Sequence, residues 1–436
     1  MSQSTCFKQT ELGEIPEEWE VKKIKDICKT ASGGTPSRKE SKFFGGGIPW
    51  VKSSELRDNL ICKTEETLSY EGLKHSSAKI FPKGTVLVAM YGATVGRTGM
   101  LGIDAATNQA VCAFIPNNAF LDNYFLWYWL QYIRPVLVHE SIGAAQPNIS
   151  QELLRQIPIP LPPLEEQKRI AGVLRLVDEI IERTRQIVSL YEKAKKYALS
   201  HLLTKGIGHT RFKQTELGEI PEEWEVKRLG DVGIIRQGRT LRRKDYKDSG
   251  RFKILKVRDI SETGEINWNI NEKGFTDEDL GNEFLLQFND ILVLSASHSE
   301  ELVGQKIGFI HTLPNNFEKV FFVAELLRVR IFPEKAVPYF IYIVLIANKS
   351  RIKPLVKGGH LYPQSLAQLQ IPLPPLEEQK QIAEILSTID KAIDNERRYL
   401  EALGKLKKWL LNNLLTGKVR LPEWVGDILK QVFPEG

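Results

Sequence analysis

From Glu165 to Leu203 the chain has no proline and one glycine, Gly172, and its apolar positions recur by fours and threes. Ile170, Leu174, Val177, Ile181, Thr184, Val188, Tyr191, Ala194, Ala198 and Leu202 form one stripe, interrupted at Thr184. That period predicts a long helix hiding one narrow face, as in a coiled coil. Ile382, Leu386, Ile389, Ile393, Glu396, Leu400, Leu403, Leu406, Leu410 and Leu414 repeat it, again with a polar residue at the fifth place. Each buried Leu or Ile is worth roughly 1.5–3 kcal/mol, so neither stripe can be left in water. Pairing the two helices with each other covers both. About 38 residues at 1.5 Å per residue give a rod of about 57 Å. The Leu203–Phe212 connection is too short to run back along such a rod, which predicts an antiparallel pair. The competing arrangement is two separate helices, each packed on its own domain.

Shorter runs precede each helix. Thr85–Tyr91 and Gln109–Ile115 read as strands, and Asp122–Tyr132, rich in aromatics, reads as a helix. In the second half Ile254–Val257, Asp290–Leu294, Gln305–Ile310 and Leu326–Ile331 read as strands, followed by the apolar run Tyr339–Ile346. Pro158, Pro160, Pro162 and Pro163 precede the first helix, and Pro372, Pro374 and Pro375 precede the second. Such strips are extended and stiff. Glu165-Glu166 and Glu377-Glu378 then fall in the first helical turns, where acids suit the dipole.

The chain is also written twice. Phe7–Lys22 and Phe212–Lys227 both read FKQTELGEIPEEWEVK, 205 positions apart. Ile159–Lys168 and Ile371–Lys380 both read IPLPPLEEQK, 212 positions apart. LLTKG at Leu202–Gly206 is echoed by LLTGK at Leu414–Lys418. The middles, 25–155 and 230–368, look unlike. Shared ends with unlike middles predict one kind of task performed on two different targets. Plain duplication with drift is the alternative, but drift alone should not spare the opening segment while scrambling the middles.

Length and composition set the class. A chain of 436 residues, 42% hydrophobic and 26% charged, is ordinary globular material. Its four cysteines lack CxxC spacing, so neither a disulfide scaffold nor a zinc signature is present. The start shows no signal core and no run reaches 18 apolar residues, so a cytoplasmic protein is expected.

Net charge is +6, from 60 basic and 54 acidic residues, which permits nucleic-acid binding without demanding it. Between Arg236 and Arg258 the excess is local. Arg236, Arg239, Arg242, Arg243, Lys244, Lys247, Arg251, Lys253, Lys256 and Arg258 stand against Asp245 and Asp248. That is a candidate phosphate-binding patch, or a solvated loop whose charges are balanced in space. The first half offers Arg38, Lys39, Lys42, Lys52, Tyr91 and Arg97, the last on the loop GATVGRTG. Ser297-His298 and, later, His360 and Tyr362 lie on loops suited to groove contact.

No catalytic engine is legible. GxxxxGK[ST] and HExxH are absent. Phe43, Gly45 and Gly47 formally match FxGxG of cofactor-binding methyltransferases, but no [DNS]PP[YFW] accompanies them. The ExK triplets Glu20-Val21-Lys22 and Glu225-Val226-Lys227 lack an upstream Asp at nuclease spacing and read as structural.

Together ELGEIPEEWEVKK and its copy, the two IPLPPLEEQK strips, GGTPS with IPWVK, and VLVAMYGATVGRTG with Asn108-Gln109 resemble the specificity subunit of a type I restriction-modification system. The resemblance covers nearly the whole chain. It implies an α/β fold: two globular mixed α/β target recognition domains separated by two long antiparallel coiled-coil helices, with a pseudo-twofold internal repeat. The expected boundaries are 1–163 (first recognition domain), 164–206 (first helix), 207–375 (second recognition domain), 376–418 (second helix) and 419–436 (tail). Each domain would read one half of a split, asymmetric site on double-stranded DNA, and the helices would fix the spacer.

The expected partners are two methyltransferase subunits and restriction/translocase subunits, with no membrane. This chain would hold no cofactor. S-adenosylmethionine would belong to the partner methyltransferase, and ATP and Mg to the partner restriction subunit. The second middle lacks GTPS and IPWV, offering QGRTLRRKD and FKILKVRDI, which bars transfer of base-reading residues between halves. The tail has no evident counterpart in the first half; either it packs back on the opening segment or it is loose. Two other functions stay open: a protein-interaction scaffold without direct DNA recognition, whose binding would not depend steeply on salt, and an autonomous nuclease or methyltransferase.

Overall fold

The two repeated stretches of sequence form a single module. The computed structural model describes residues 6–140, 148–270, 272–314 and 317–433; the ends of the first expected domain and of the tail, 1–5 and 434–436, lie outside them. The opening segment makes a hairpin of β1 (Phe7–Thr10) and β2 (Gly13–Pro16), then β3 (Glu20–Lys23) and the short α1 (Ile24–Ile27). Its distant partner is the proline strip, which pairs antiparallel with β3, Ile159 opposite Lys22 and Pro160 opposite Val21. A two-stranded ladder leaves each strand an open edge, where a proline lacking N–H is tolerated.

Between these stretches lie β4 (Cys28–Ser32), β5 (Phe44–Val51), β6 (Asn59–Ile61), β7 (Glu66–Leu68), α2 (Tyr70–Lys74), β8 (Ile80–Phe81), β9 (Val86–Ala89), β10 (Thr98–Leu101), β11 (Ala105–Thr107) and β12 (Val111–Pro116). Helices α3 (Asn123–Glu140) and α4 (Gln151–Gln156) follow, then the proline strip as β13 (Pro158–Leu161) and the long α5 (Leu164–Leu202). The strands form a sheet β4-β12-β9-β10-β6 and a second sheet β7-β5-β11-β8.

The second half repeats the order. It has β14 (Phe212–Thr215), β15 (Gly218–Pro221), β16 (Glu225–Arg228), α6 (Leu229–Val232), β17 (Gly233–Gln237), β18 (Phe252–Leu255), β19 (Phe275–Thr276) and β20 (Ile291–Leu294). Then come β21 (Ile307–Phe309), β22 (Lys319–Phe322), β23 (Leu326–Ile331), α7 (Pro338–Ala347), α8 (Lys349–Ile352), α9 (Pro363–Ala367), β24 (Gln370–Leu373) and α10 (Leu376–Leu414). Its sheets are β17-β23-β20-β21 and β19-β18-β22, and β24 pairs with β16 as β13 does with β3. The run expected as a strand at Ile254–Val257 splits, because Val257–Asp259 turns into a 3-10 helix.

The chain divides into two compact units: Met1–Gln186 with Arg398–Gly436, and Ile187–Arg397. Each contains the start of one long helix and the end of the other. In unit one Lys407 of α10 meets Asp178 of α5 at 2.7 Å, and the Tyr128 hydroxyl donates to the same carboxylate at 2.9 Å. Unit two repeats this with Lys195 of α5 on Asp390 of α10, and the Tyr339 hydroxyl donating to Asp390 at 2.6 Å. Within each unit the helices run antiparallel: Glu166 lies beside Arg420 and Asp178 beside Lys407, while Glu378 lies beside Ile207 and Asp390 beside Lys195.

The stripes bury against more than each other. Ile170, Leu174, Val177 and Ile181 share one core with Trp19, Phe125, Tyr128, Ile159, Leu403, Leu410 and Leu414. Ile382 and Leu386 share another with Trp224, Phe340, Ile371 and Leu203, and Ile389 packs at its edge. Val188 and Ile393 are buried, and Ile389 and Leu400 are half-buried. The buried Thr184 is satisfied within its helix, its hydroxyl donating to the Ile180 carbonyl at 2.8 Å.

Three expected seam positions face solvent: Tyr191, Ala194 and Leu406. A straight helix turns every 3.6 residues, so a strict heptad drifts by about 20° each repeat and leaves the seam. Lys195 and Lys407 take up flanking half-buried places instead.

The tail is not loose. Gly417, at φ 70°, sits where a Cβ would strike Pro16, and Arg420 contacts Glu18 and Glu166. Helix α11 (Trp424–Val432) packs Leu429 onto Gly172. The junction before α11, though not α11 itself, has a counterpart in the other unit. Gly206, at φ 65°, packs on Trp224 as Gly417 packs on Trp19. His209 meets Glu378 at 3.0 Å, in the place that Arg420 holds against Glu166.

Candidate nucleic-acid interface

In both units the loops leaving one end of the main sheet meet through backbone hydrogen bonds. In unit one Gly34 N–H donates to the Thr107 carbonyl (2.8 Å), Met90 N–H to that of Ala110 (2.8 Å) and Ile149 N–H to that of Met90 (2.8 Å). In unit two Arg239 N–H donates to Phe322 (3.2 Å), Ser295 N–H to Glu325 (2.8 Å) and Leu361 N–H to Ser295 (2.8 Å). Asn108 N–H donates to Val51 as Val323 N–H does to Leu255. Lys52 and Lys256 each open a turn capped by a carboxylate, Glu55 at 2.9 Å and Asp259 at 2.8 Å. Glycine is required at Gly33 and Gly238, where a Cβ would lie 2.0 Å from the Thr107 carbonyl oxygen and 2.1 Å from that of Val323.

These contacts make Gly33–Glu40 (GGTPSRKE) and Gly238–Asp245 (GRTLRRKD) the same segment, and Lys52 the counterpart of Lys256. QGRTLRRKD, which the second half offers where the first has GGTPS, therefore occupies the same place in the fold. The missed signal was spacing: the segments lie 205 positions apart, like the opening segment, and share Gly, Thr, Arg, Lys and a final acid. Strands β9 and β20 keep the same offset with different apolar letters.

In unit one the strand-end surface gathers Thr35, Arg38, Lys52, Tyr91, Arg97 and Gln109. The Arg38 guanidinium donates to Glu66 at 2.6 Å and lies 4.6 Å from the Phe44 ring and 5.1 Å from that of Trp50. Lys52 pairs with Glu65 (2.8 Å) and Glu66 (3.0 Å). Arg38 and then Lys52 hold the Glu66 carboxyl below its usual range, and Glu65 and Glu66 raise Lys52. Tyr91 bridges to Asn148. The Thr35 hydroxyl donates to the side-chain oxygen of exposed Gln109. Lys39 is exposed, with no ion pair among the described residues.

Arg97 owes its position to Asp58, a residue that charge counting overlooked. Asp58 sits at φ 59° and accepts from Arg97 (2.9 Å), Arg134 (2.7 Å) and the Thr98 hydroxyl (2.9 Å). Burial pushes its carboxyl up, but Arg134 and the Thr98 amide and hydroxyl outweigh that and hold it below the usual range.

In unit two the basic run is mostly compensated, which changes the sequence picture of a free patch. Arg236 pairs with Glu283, Arg239 with Glu278, Arg242 with Asp245, Lys247 with Asp277, Arg251 with Glu318, and Arg258 with Asp259 and Glu272. Lys253 is buried against Phe275, and burial depresses its pKa. Arg243 and Lys244 are exposed, with no ion pair among the described residues. His298 leaves the same sheet end, and Ala296 bridges to His360, whose ring lies 6.1 Å from that of Tyr362. The structure thus brings these two loop motifs together. Among the described residues, no group of three or more His, Cys, Asp or Glu could hold a metal, and no helix is long and apolar enough to cross a membrane.

The chain is thus a doubled α/β scaffold whose strand-end loops carry exposed basic residues in each copy, Lys39 in one and Arg243 with Lys244 in the other. Residues 16–190 and 221–405 each match the family model of the type I restriction modification DNA specificity domain. The chain is 30% identical over 424 residues to the type I restriction enzyme MjaVIII specificity subunit of Methanocaldococcus jannaschii, covering 95% of this chain and 96% of that one. Against the MjaIX specificity subunit of the same organism it is 28% identical over 444 residues, covering 96% and 98%. A crystal structure of the type I restriction-modification S subunit from M. genitalium shares the fold, with a TM-score of 0.60 at 15% identity, over 94% of this chain and 99% of that one. This chain belongs to the family of type I restriction-modification specificity subunits.

Proposed function

We propose that this chain addresses a type I restriction-modification assembly to a bipartite, asymmetric site on double-stranded DNA. Each unit reads one half-site, and α5 with α10 sets the spacer between halves. One observation carries the reading. The two units repeat one scaffold, including the backbone hydrogen bonds that join the strand-end loops, yet differ in the side chains at those loops. A shared scaffold with changed loop chemistry is how one fold reads two sequences.

The chemistry belongs to partners in this proposal. Two methyltransferase subunits carry S-adenosylmethionine, and restriction subunits carry ATP and Mg. Each long helix offers a second, exposed apolar stripe, in which Ile187 and Tyr197 match Tyr399 and Trp409 at the repeat offset. It comprises Ile187, Leu190 and Tyr197 on α5 in unit two, and Tyr399, Leu406 and Trp409 on α10 in unit one. Exposed large apolar side chains at heptad spacing fit the docking of a partner helix, once per unit.

The test is a genome-wide map of modified adenines in cells with and without this chain. A split motif that vanishes on deletion is expected, and exchange of residues 25–155 for another member's domain should change one half only. A change in both halves would refute the modular reading.

A further inference from the structure

The equivalence of Gly33–Glu40 with Gly238–Asp245 sorts the loop residues into two kinds. Arg38-Lys39 and Arg243-Lys244 occupy the same places in both units. Around the same notch other places differ. Arg239 stands where unit one has Gly34, and Gln109 stands where unit two has Ala324. Two half-sites of different sequence still share one phosphate backbone. Contacts to phosphates position a reader and carry no sequence, whereas contacts to base edges specify.

We infer a division of labour within this surface: Lys39 in unit one and Arg243-Lys244 in unit two hold DNA phosphates, whereas Gln109 in unit one and Arg239 in unit two read base edges. The inference rests on the DNA-reading function proposed above.

The local chemistry fits. The Thr35 hydroxyl donates to the Gln109 side-chain oxygen, which fixes the amide and leaves its NH2 free to donate. An oriented carboxamide matches the N6/N7 edge of adenine. Arg239 is exposed and lightly held, by a 3.9 Å ion pair to Glu278 and by the Phe284 ring 6.0 Å from its guanidinium, and its fork matches the O6/N7 edge of guanine. The notch therefore takes its reader from one side in unit one and from the other side in unit two. Arg243 and Lys244, without ion pairs among the described residues, are free to meet phosphate.

The test selects from a random-sequence duplex pool with the chain assembled with its methyltransferase subunits, and measures affinity against salt. Gln109→Ala should abolish preference at one position of one half-site, a drop in discrimination of about 5- to 150-fold. Arg239→Ala should do the same in the other half. Arg243→Ala with Lys244→Ala should keep the selected motif and lower the salt slope by about two. All four side chains are exposed, so melting temperatures should not move. An unchanged motif in both single variants, or a motif altered by the Arg243/Lys244 pair, would overturn the division of labour. A wild-type assembly that selects no motif and binds without salt dependence would instead overturn DNA reading itself, and this inference with it.

Discussion

Arg420, beyond the end of α10, donates to the buried carboxylate of Glu166 at 2.7 Å in the first turn of the chain's other long helix. Trp19 donates to the same carboxylate at 3.2 Å. One buried acid thus ties the opening segment, the first long helix and the tail. Glu378 does this in unit two, accepting from Trp224 at 2.9 Å and meeting His209.

Arg420→Ala should therefore destabilise unit one by on the order of 3 kcal/mol, because it strands a buried charge. Arg420→His, which copies unit two, should recover most of that loss. Urea unfolding of the three proteins decides. Equal stabilities would mean that the clamp contributes nothing.

Asp58→Asn should cost about 1–3 kcal/mol at neutral pH, since Arg97 and Arg134 lose their anion. The folded carboxyl titrates below its unfolded value of about 3.9. Its contribution is thus complete above that pH and fades as pH falls through the folded value. The stability gap between wild type and variant should narrow in acid. A gap independent of pH would remove the ion pairs from the account.

The helix stripe divides into positions that matter and positions that do not. Leu174→Ala and Leu386→Ala, both fully buried, should each cost about 2–5 kcal/mol. Leu406→Ala, on the exposed face, should stay within about 0.5 kcal/mol. Leu403→Asp should damage the fold more than Leu400→Asp, because only Leu403 is fully enclosed. Thermal melts of the set would show comparable losses at Leu400, Leu403 and Leu406 if the strict heptad held.

Thiol labelling should split the cysteines into two classes. Cys6 and Cys62 are exposed and should react in the native protein. Burial pushes the Cys28 and Cys112 thiols up to about 12, so they should stay silent until denaturant is added. Four fast thiols in the native state would contradict this packing.

Much was legible in the letters. The identical stretches marked Trp19 and Trp224, the proline strips and the helix starts, and the fours-and-threes period marked Ile170, Leu174, Ile382 and Leu386. The repeat inside the middles was harder to see. Strands β9 and β20 keep buried positions but exchange Val-Leu-Val-Ala for Ile-Leu-Val-Leu, and burial accepts any apolar residue of suitable size. Among polar residues, charge counting found Arg97 but missed Asp58, whose importance comes from what approaches it in space.

The sequence by itself determined the duplication, the two long helices and the family, because periodicity and identity are local properties of a string. Tertiary structure decided which charges are free. Much of the run Arg236–Arg258 is paired with acids, some from distant segments such as Glu283, Glu278 and Glu318, while Arg243 and Lys244 are exposed and without ion pairs among the described residues. It also established that Gly34 and Arg239 share a place, because equivalent backbone hydrogen bonds align segments whose side chains have been exchanged. Ion pairing and register both depend on contacts between residues far apart in the chain, and no count along the sequence contains those distances.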